Sequence, residues 1–133
     1  MEFKDFAIGV DVEEISRFSA VKKKTHRLFL EKIFSPEELR YCFAKSRPAM
    51  HLCARFSAKE SVIKAVSRLS NNAVNHDKIA VQNDINGVPT VILKGKEFKN
   101  FIVKLSISHT KDLVFTTAVV VNNNYASQKT AKK

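Results

Sequence analysis

Tryptophan is absent from the 133-residue sequence, and glycine and proline occur only three times each. With so few chain breakers and 44% of its residues hydrophobic, the chain suits one compact domain able to bury a core. Cysteine is scarce as well. Cys42 and Cys53 are too few for a disulfide framework, and the grouping Cys42, His51, Cys53 lacks the paired spacing of zinc sites. Both are expected as buried thiols. No apolar stretch approaches the ~18 residues of a membrane span. The N-terminal MEFKDFAIGVDVEE has no basic segment followed by a long apolar one and a cleavage site, so a cytoplasmic protein without a membrane partner is expected. Negative charge is also in deficit: 13 acidic residues face 23 Lys and Arg, for a net charge of +10. Such a surface steers polyanions toward itself, which leaves nucleic acid, an acidic protein or a phosphorylated ligand open.

What is present reads as strand, helices, then strands. Residues 3–12 form an apolar strand that carries Asp11 near its end, and 13–33 predicts two short helices joined by the basic turn 22-KKKTHR-27. At 35-SPEE-38, Ser35 can cap, Pro36 suits the first helical position and Glu38 completes a capping box, starting a helix that runs to about Lys45. The longest helix is expected from Ala49 to Leu69, amphipathic and at the core of the fold. After the polar turn 70-SNNAVNH-76, strands follow at 78–84, 88–94, 101–109 and 113–121, with 86-NG-87 as a hairpin turn. The fold class is therefore α+β: a long helix and shorter ones on an antiparallel sheet of three or more strands. A domain over 1–121 and a loose basic tail over 122–133 complete the expected organisation.

The stretch 55-RFSAKESVIKA-65 places Glu60 and Lys64 one turn apart on the long helix. Taken alone, that spacing is better accounted for by an ordinary surface ion pair, worth about 0.3–0.5 kcal/mol, than by a metal or phosphate site. Asp11 shifts the balance if the first strand packs on this helix, because two carboxylates then converge beside a lysine and an arginine. Hard oxygen donors of that kind suit magnesium, which completes its shell with water and substrate phosphates. Lys64 then serves as a point charge for a phosphate oxygen, and Arg55 as a bidentate partner.

The segments 8-IGVDVEEISRF-18, 34-FSPEELRYC-42, 55-RFSAKESVIKA-65 and 105-LSISHTKDLVFTTAVV-120 resemble, in order, those of the holo-acyl-carrier-protein synthases, the small 4'-phosphopantetheinyl transferases. The most specific parts are Gly9, Asp11, Glu14, Ile15 and Arg17 in one element and Lys59, Glu60, Lys64 and Ala65 in the other. The resemblance implies magnesium-dependent transfer of phosphopantetheine from coenzyme A to a serine of an acidic apo-acyl carrier protein, releasing 3',5'-ADP. It further implies magnesium on Asp11 and Glu60, and Lys64 on the coenzyme A phosphates. Arg55, Lys59, Ser108, His109 and Thr110 would line the nucleotide site, and a homotrimer would hold active sites between neighbours. Arg17 falls on the family's docking-helix position, while Lys22, Lys23 and Lys24 read equally as a basic docking face for the carrier protein or as a solvated helix end favourable to the helix dipole. The chain departs from the family at Ser57-Ala58 and Ser61, where alanines are usual, and at 67-SRLSNN-72, where a glycine-rich turn is common.

The rival reading is a non-enzymatic basic module that binds nucleic acid. It rests on the charge and the Lys-rich tail, but no aromatic RNP-type strand, zinc-finger spacing or basic recognition helix accompanies them.

Overall fold

The computed structural model describes residues 5–123. The expected tail therefore lies outside the described residues from 124 onward.

Strand β1 (Phe6–Glu14) alternates exposed and covered residues, as period-two geometry requires. It runs two residues beyond its predicted end and leads into a 3-10 turn, Ile15–Phe18, followed by α1 (Arg27–Ile33). Helix α2 (Pro36–Phe43) begins where the sequence indicates: Glu38 N donates to Ser35 Oγ at 3.2 Å, and Ser35 N donates to Glu38 Oε1 at 2.8 Å. Both bonds satisfy amides that a helix start leaves without partners. Helix α3 (Pro48–Leu69) is followed by a 3-10 turn, His76–Lys78. The hairpin β2 (Ile79–Asn83) and β3 (Pro89–Leu93) turns through Gly87, whose φ of 79° is the left-handed conformation glycine adopts without strain. Strands β4 (Phe101–His109) and β5 (Leu113–Asn122) join β1 in an antiparallel sheet of order β1-β5-β4.

Helix α3 departs from the amphipathic expectation. From Leu52 to Val66 every residue is buried except Glu60, Ile63 and Lys64. The sheet covers one side of it through Ala7, Val114, Ala118 and Val120, while α1, α2 and the hairpin cover the rest through Leu30, Phe34, Ile79 and Val81. The sheet approaches closely because Gly9 has no side chain. A Cβ there would stand 1.7 Å from the Ser61 carbonyl oxygen. One strand further in, Ser57 and Thr116 join hydroxyls at 2.9 Å, and Thr116 Oγ1 also donates to the Ser57 carbonyl at 2.9 Å.

Cys42 and Cys53 are free and buried, and burial pushes both thiols up to about 12. The other face of the three-stranded sheet is apolar and open: Ile8, Val10, Val12, Ile102 and Phe115 are all exposed. Among the described residues no helix is long and apolar enough to cross a membrane.

Candidate active site

The three uncovered residues in the middle of α3 form a window beside β1. Because Gly9 lets the strand and helix backbones meet, Asp11, two residues on and on the same strand face, is carried under the helix and is 7% exposed. Lys64 reaches back over it, donating to the Val10 carbonyl at 2.9 Å and to Asp11 Oδ1 at 3.1 Å. Asp11 Oδ2 is buried and has no hydrogen-bond partner. A buried carboxylate oxygen without a donor is costly, and a cation offsets that cost directly.

Glu60, one turn before Lys64, is partly exposed and accepts a hydrogen bond at 2.7 Å from His76 Nε2. In the tautomer that carries its hydrogen on Nε2, the ring donates and the carboxylate accepts. The imidazole of His76 stacks on Phe56, centroids 5.6 Å apart and planes 11° from parallel. Phe56 also receives the Arg17 guanidinium 4.8 Å from its ring centre. Arg17 in turn donates to Glu13 Oε2 at 3.0 Å. Burial pushes the Glu13 carboxyl above its ordinary range, and the negative charge of Asp11 adds to the rise; Arg17 offsets part of it.

Lys64 and Asp11 are thus brought together, with Glu60 one turn before Lys64 on the helix and Arg17 bonded to Glu13 on the same strand as Asp11. Lys22, Lys23 and Lys24 are exposed in the turns before α1. Among the described residues no group of three or more His, Cys, Asp and Glu side chains is arranged to hold a metal. The donor set is two carboxylates, which matches the one or two that magnesium takes from a protein, and the partnerless Oδ2 of Asp11 gives the fit a structural basis.

Lys59 requires a correction. Its side chain is 1% exposed, and its ammonium donates to Glu38 Oε1 at 2.7 Å, the Ile33 carbonyl at 2.6 Å and the His76 carbonyl at 3.1 Å. Those three oxygens engage its three protons, so none is left for a nucleotide. Burial pushes this lysine below its usual value, and Glu38 offsets part of that shift. The physical reason is the azimuth: Lys59 lies about 100° from Glu60 on the helix, turned toward α2 and the hairpin.

Arg55, Ser108, His109 and Thr110 are placed elsewhere in the chain. Arg55 is buried, with its Cζ 3.9 Å from the centre of the Tyr41 ring, and its Nε has no hydrogen-bond partner. It lines a cavity of about 280 Å³ with Tyr41, Val81, Asn83 and Lys94. Ser108 and His109 end β4, which β5 separates from β1; His109 shares a cross-strand row with Val114 and Glu13. Near the start of α3, His51 is pushed down first by burial and then by the charges of Arg55, Lys45, His109 and Arg47. A second, cationic cluster therefore forms there, about 13 Å along the helix from Glu60.

Sequence reasoning missed Glu13 and His76. Glu13 carried a signal, since a strand places i and i+2 on one face with Asp11. His76 carried none, because its partner Glu60 lies in another element.

Residues 7–118 match the family described as the 4'-phosphopantetheinyl transferase superfamily. A holo-[acyl-carrier-protein] synthase of Chloroherpeton thalassium is 35% identical over 116 residues, covering 86% of this chain and 94% of that protein. The solved ACPS–CoA complex of Chronobacterium ammoniagenes has a TM-score of 0.71 at 30% identity, covering 88% of this chain and 97% of that one. The Helicobacter pylori holo-[acyl-carrier-protein] synthase in complex with coenzyme A has a TM-score of 0.72 at 26% identity, covering 85% and 98%.

Proposed function

Since the chain belongs to the 4'-phosphopantetheinyl transferase superfamily and is an enzyme of its holo-acyl-carrier-protein synthase group, we propose that Asp11, Glu60 and Lys64 are its catalytic centre. The reaction is transfer of 4'-phosphopantetheine from coenzyme A to a serine of an acidic acyl carrier protein, as in fatty acid biosynthesis. The bond formed joins the serine oxygen to the phosphorus bearing the pantetheine arm. The bond broken releases 3',5'-ADP, and the serine proton is lost. The observation that supports this reading most is Asp11 Oδ2, buried and without a donor, beside the cation of Lys64.

Asp11 and Glu60 are the residues that would hold magnesium. When bound, the ion supplies charge neutralisation to the diphosphate. Lys64, with half its side chain in solvent, is free to swing from the Val10 carbonyl to a phosphate oxygen and offset the charge that grows on the departing 3',5'-ADP. Arg17, exposed and anchored by Glu13, faces outward with Lys22, Lys23 and Lys24 to dock the carrier protein, and the net charge of +10 speeds the encounter.

A homotrimer fits the open apolar face of the sheet. Exposed rows such as Phe6, Val121 and Ile102, or Val12 and Phe115, run across its strands, and contiguous apolar surface of this kind marks an interface. In such an assembly Arg55, Ser108, His109 and Thr110 would serve the nucleotide bound at a neighbour's Asp11 and Glu60. The cytoplasm is its proposed location, in keeping with two free thiols. The nucleic-acid reading finds no support in the relatives.

The test is intact-mass analysis of an apo-acyl carrier protein incubated with coenzyme A and this protein, with and without magnesium. A gain of one phosphopantetheine group, in the presence of metal alone, is the expected result. No gain across several carrier proteins, with folded enzyme and metal present, overturns the proposal.

A further inference from the structure

His76 is the only side chain that the described hydrogen bonds give to Glu60, and it is itself held on two sides. Its carbonyl is fixed by the ammonium of Lys59 at 3.1 Å, and its ring lies flat on Phe56. Lys59 is in turn locked by Glu38, whose second oxygen, Oε2, accepts from the Val81 amide at 3.0 Å. A run of short contacts thus leads from the cap of α2 through a buried ion pair to one oxygen of Glu60. That arrangement exceeds what burial of a turn needs: an apolar ring at 76 would stack on Phe56 equally well, but would have no proton to give.

We propose that His76 is a positioning residue for Glu60: by donating Nε2–H to Oε1 it fixes the carboxylate so that Oε2 is left for the divalent cation. This rests on the assignment of Glu60 as a ligand. Glutamate has three side-chain torsions, and a partly exposed one samples many orientations unless a neighbour holds it. Ligating carboxylates held by an outer hydrogen bond bind their metal more tightly, and removing such a partner typically costs about 10–100-fold in affinity or activity. His76 touches neither substrate nor the reacting atoms; its effect passes through Glu60.

The test uses the full chain saturated with coenzyme A, without carrier protein, so that no turnover occurs. Manganese(II) is titrated in, and the free ion is read by electron paramagnetic resonance. His76→Phe keeps an aromatic ring against Phe56 and removes the donor; His76→Gln removes the ring and keeps an N–H donor. His76→Phe is expected to weaken manganese binding by about 10-fold or more with an unchanged urea midpoint, and His76→Gln to recover most of that loss. Binding by His76→Phe equal to the parent, with Glu60→Ala binding weakly, overturns the role of His76 and leaves Glu60 as a ligand. Equal binding by the parent, His76→Phe and Glu60→Ala overturns the ligand assignment and this inference with it.

Discussion

Lys59 and Lys64 stand little more than a turn apart on the same helix, and their surroundings have almost nothing in common. Lys59 is 1% exposed and engaged by three protein oxygens; Lys64 has a side chain 52% exposed and leans over Asp11. The Lys59 side of α3 is packed by α2 and the β2–β3 hairpin, and its charges are fully enclosed. The Lys64 side opens to solvent beside β1, and its charges are left short of partners, with Asp11 Oδ2 unpaired. Where this helix spends a charge on itself, it holds the fold together; where a charge is incompletely matched, it is available to a ligand.

The sharpest way to break this comparison is to remove Lys59. Lys59→Met strands Glu38 at 3% exposure without its cation, and loss of one partner of a buried pair costs about 3–5 kcal/mol. A urea denaturation midpoint should fall accordingly, and adding Glu38→Gln should restore part of the loss. A midpoint within error of the parent would contradict the structural role. Gly9→Ala comes next. Its methyl cannot fit against the Ser61 carbonyl, so strand and helix must part; overpacking typically costs about 1–3 kcal/mol, and here the upper part of that range is expected. Transfer activity should fall with it, because Asp11 rides on the same strand. The effect of Lys64→Met on stability is expected to be smaller than that of Lys59→Met, because only the Asp11 end of this pair is buried and the lysine end is half in solvent. That same variant should lose transfer activity by at least about 100-fold while Lys59→Met/Glu38→Gln retains more, which activity per folded protein would measure.

Most of the fold was legible because it is written in local chemistry. The capping box at Ser35 and Glu38, the turn at Asn86 and Gly87 and the strands on either side are decided by neighbours in sequence, and the structure has them where they were expected. The site was legible in part. Asp11 and Lys64 meet, since strand and helix periods place them on facing surfaces, and Glu60 stands one turn before Lys64. The placement of Lys59 was not legible: helical spacing fixes its angle but not which neighbours close over that angle, and the hairpin that does so arrives some twenty residues later. His76 stayed hidden for the same reason. A polar turn after a helix has the pattern of a solvated one until the fold brings its imidazole back against Phe56 and Glu60.

The two cysteines give this molecule a built-in gauge of its own breathing. Both lie in the helical half of the core, and their thiols, pushed up to about 12, are almost wholly protonated near neutral pH. A thiolate is the species that reagents attack, so a closed molecule is close to silent toward them. Each labelling event therefore marks a moment when the packing around α2 or α3 has opened. Counted over time, such events report how firmly the scaffold behind Glu60 and Lys64 is held, without any substrate being present.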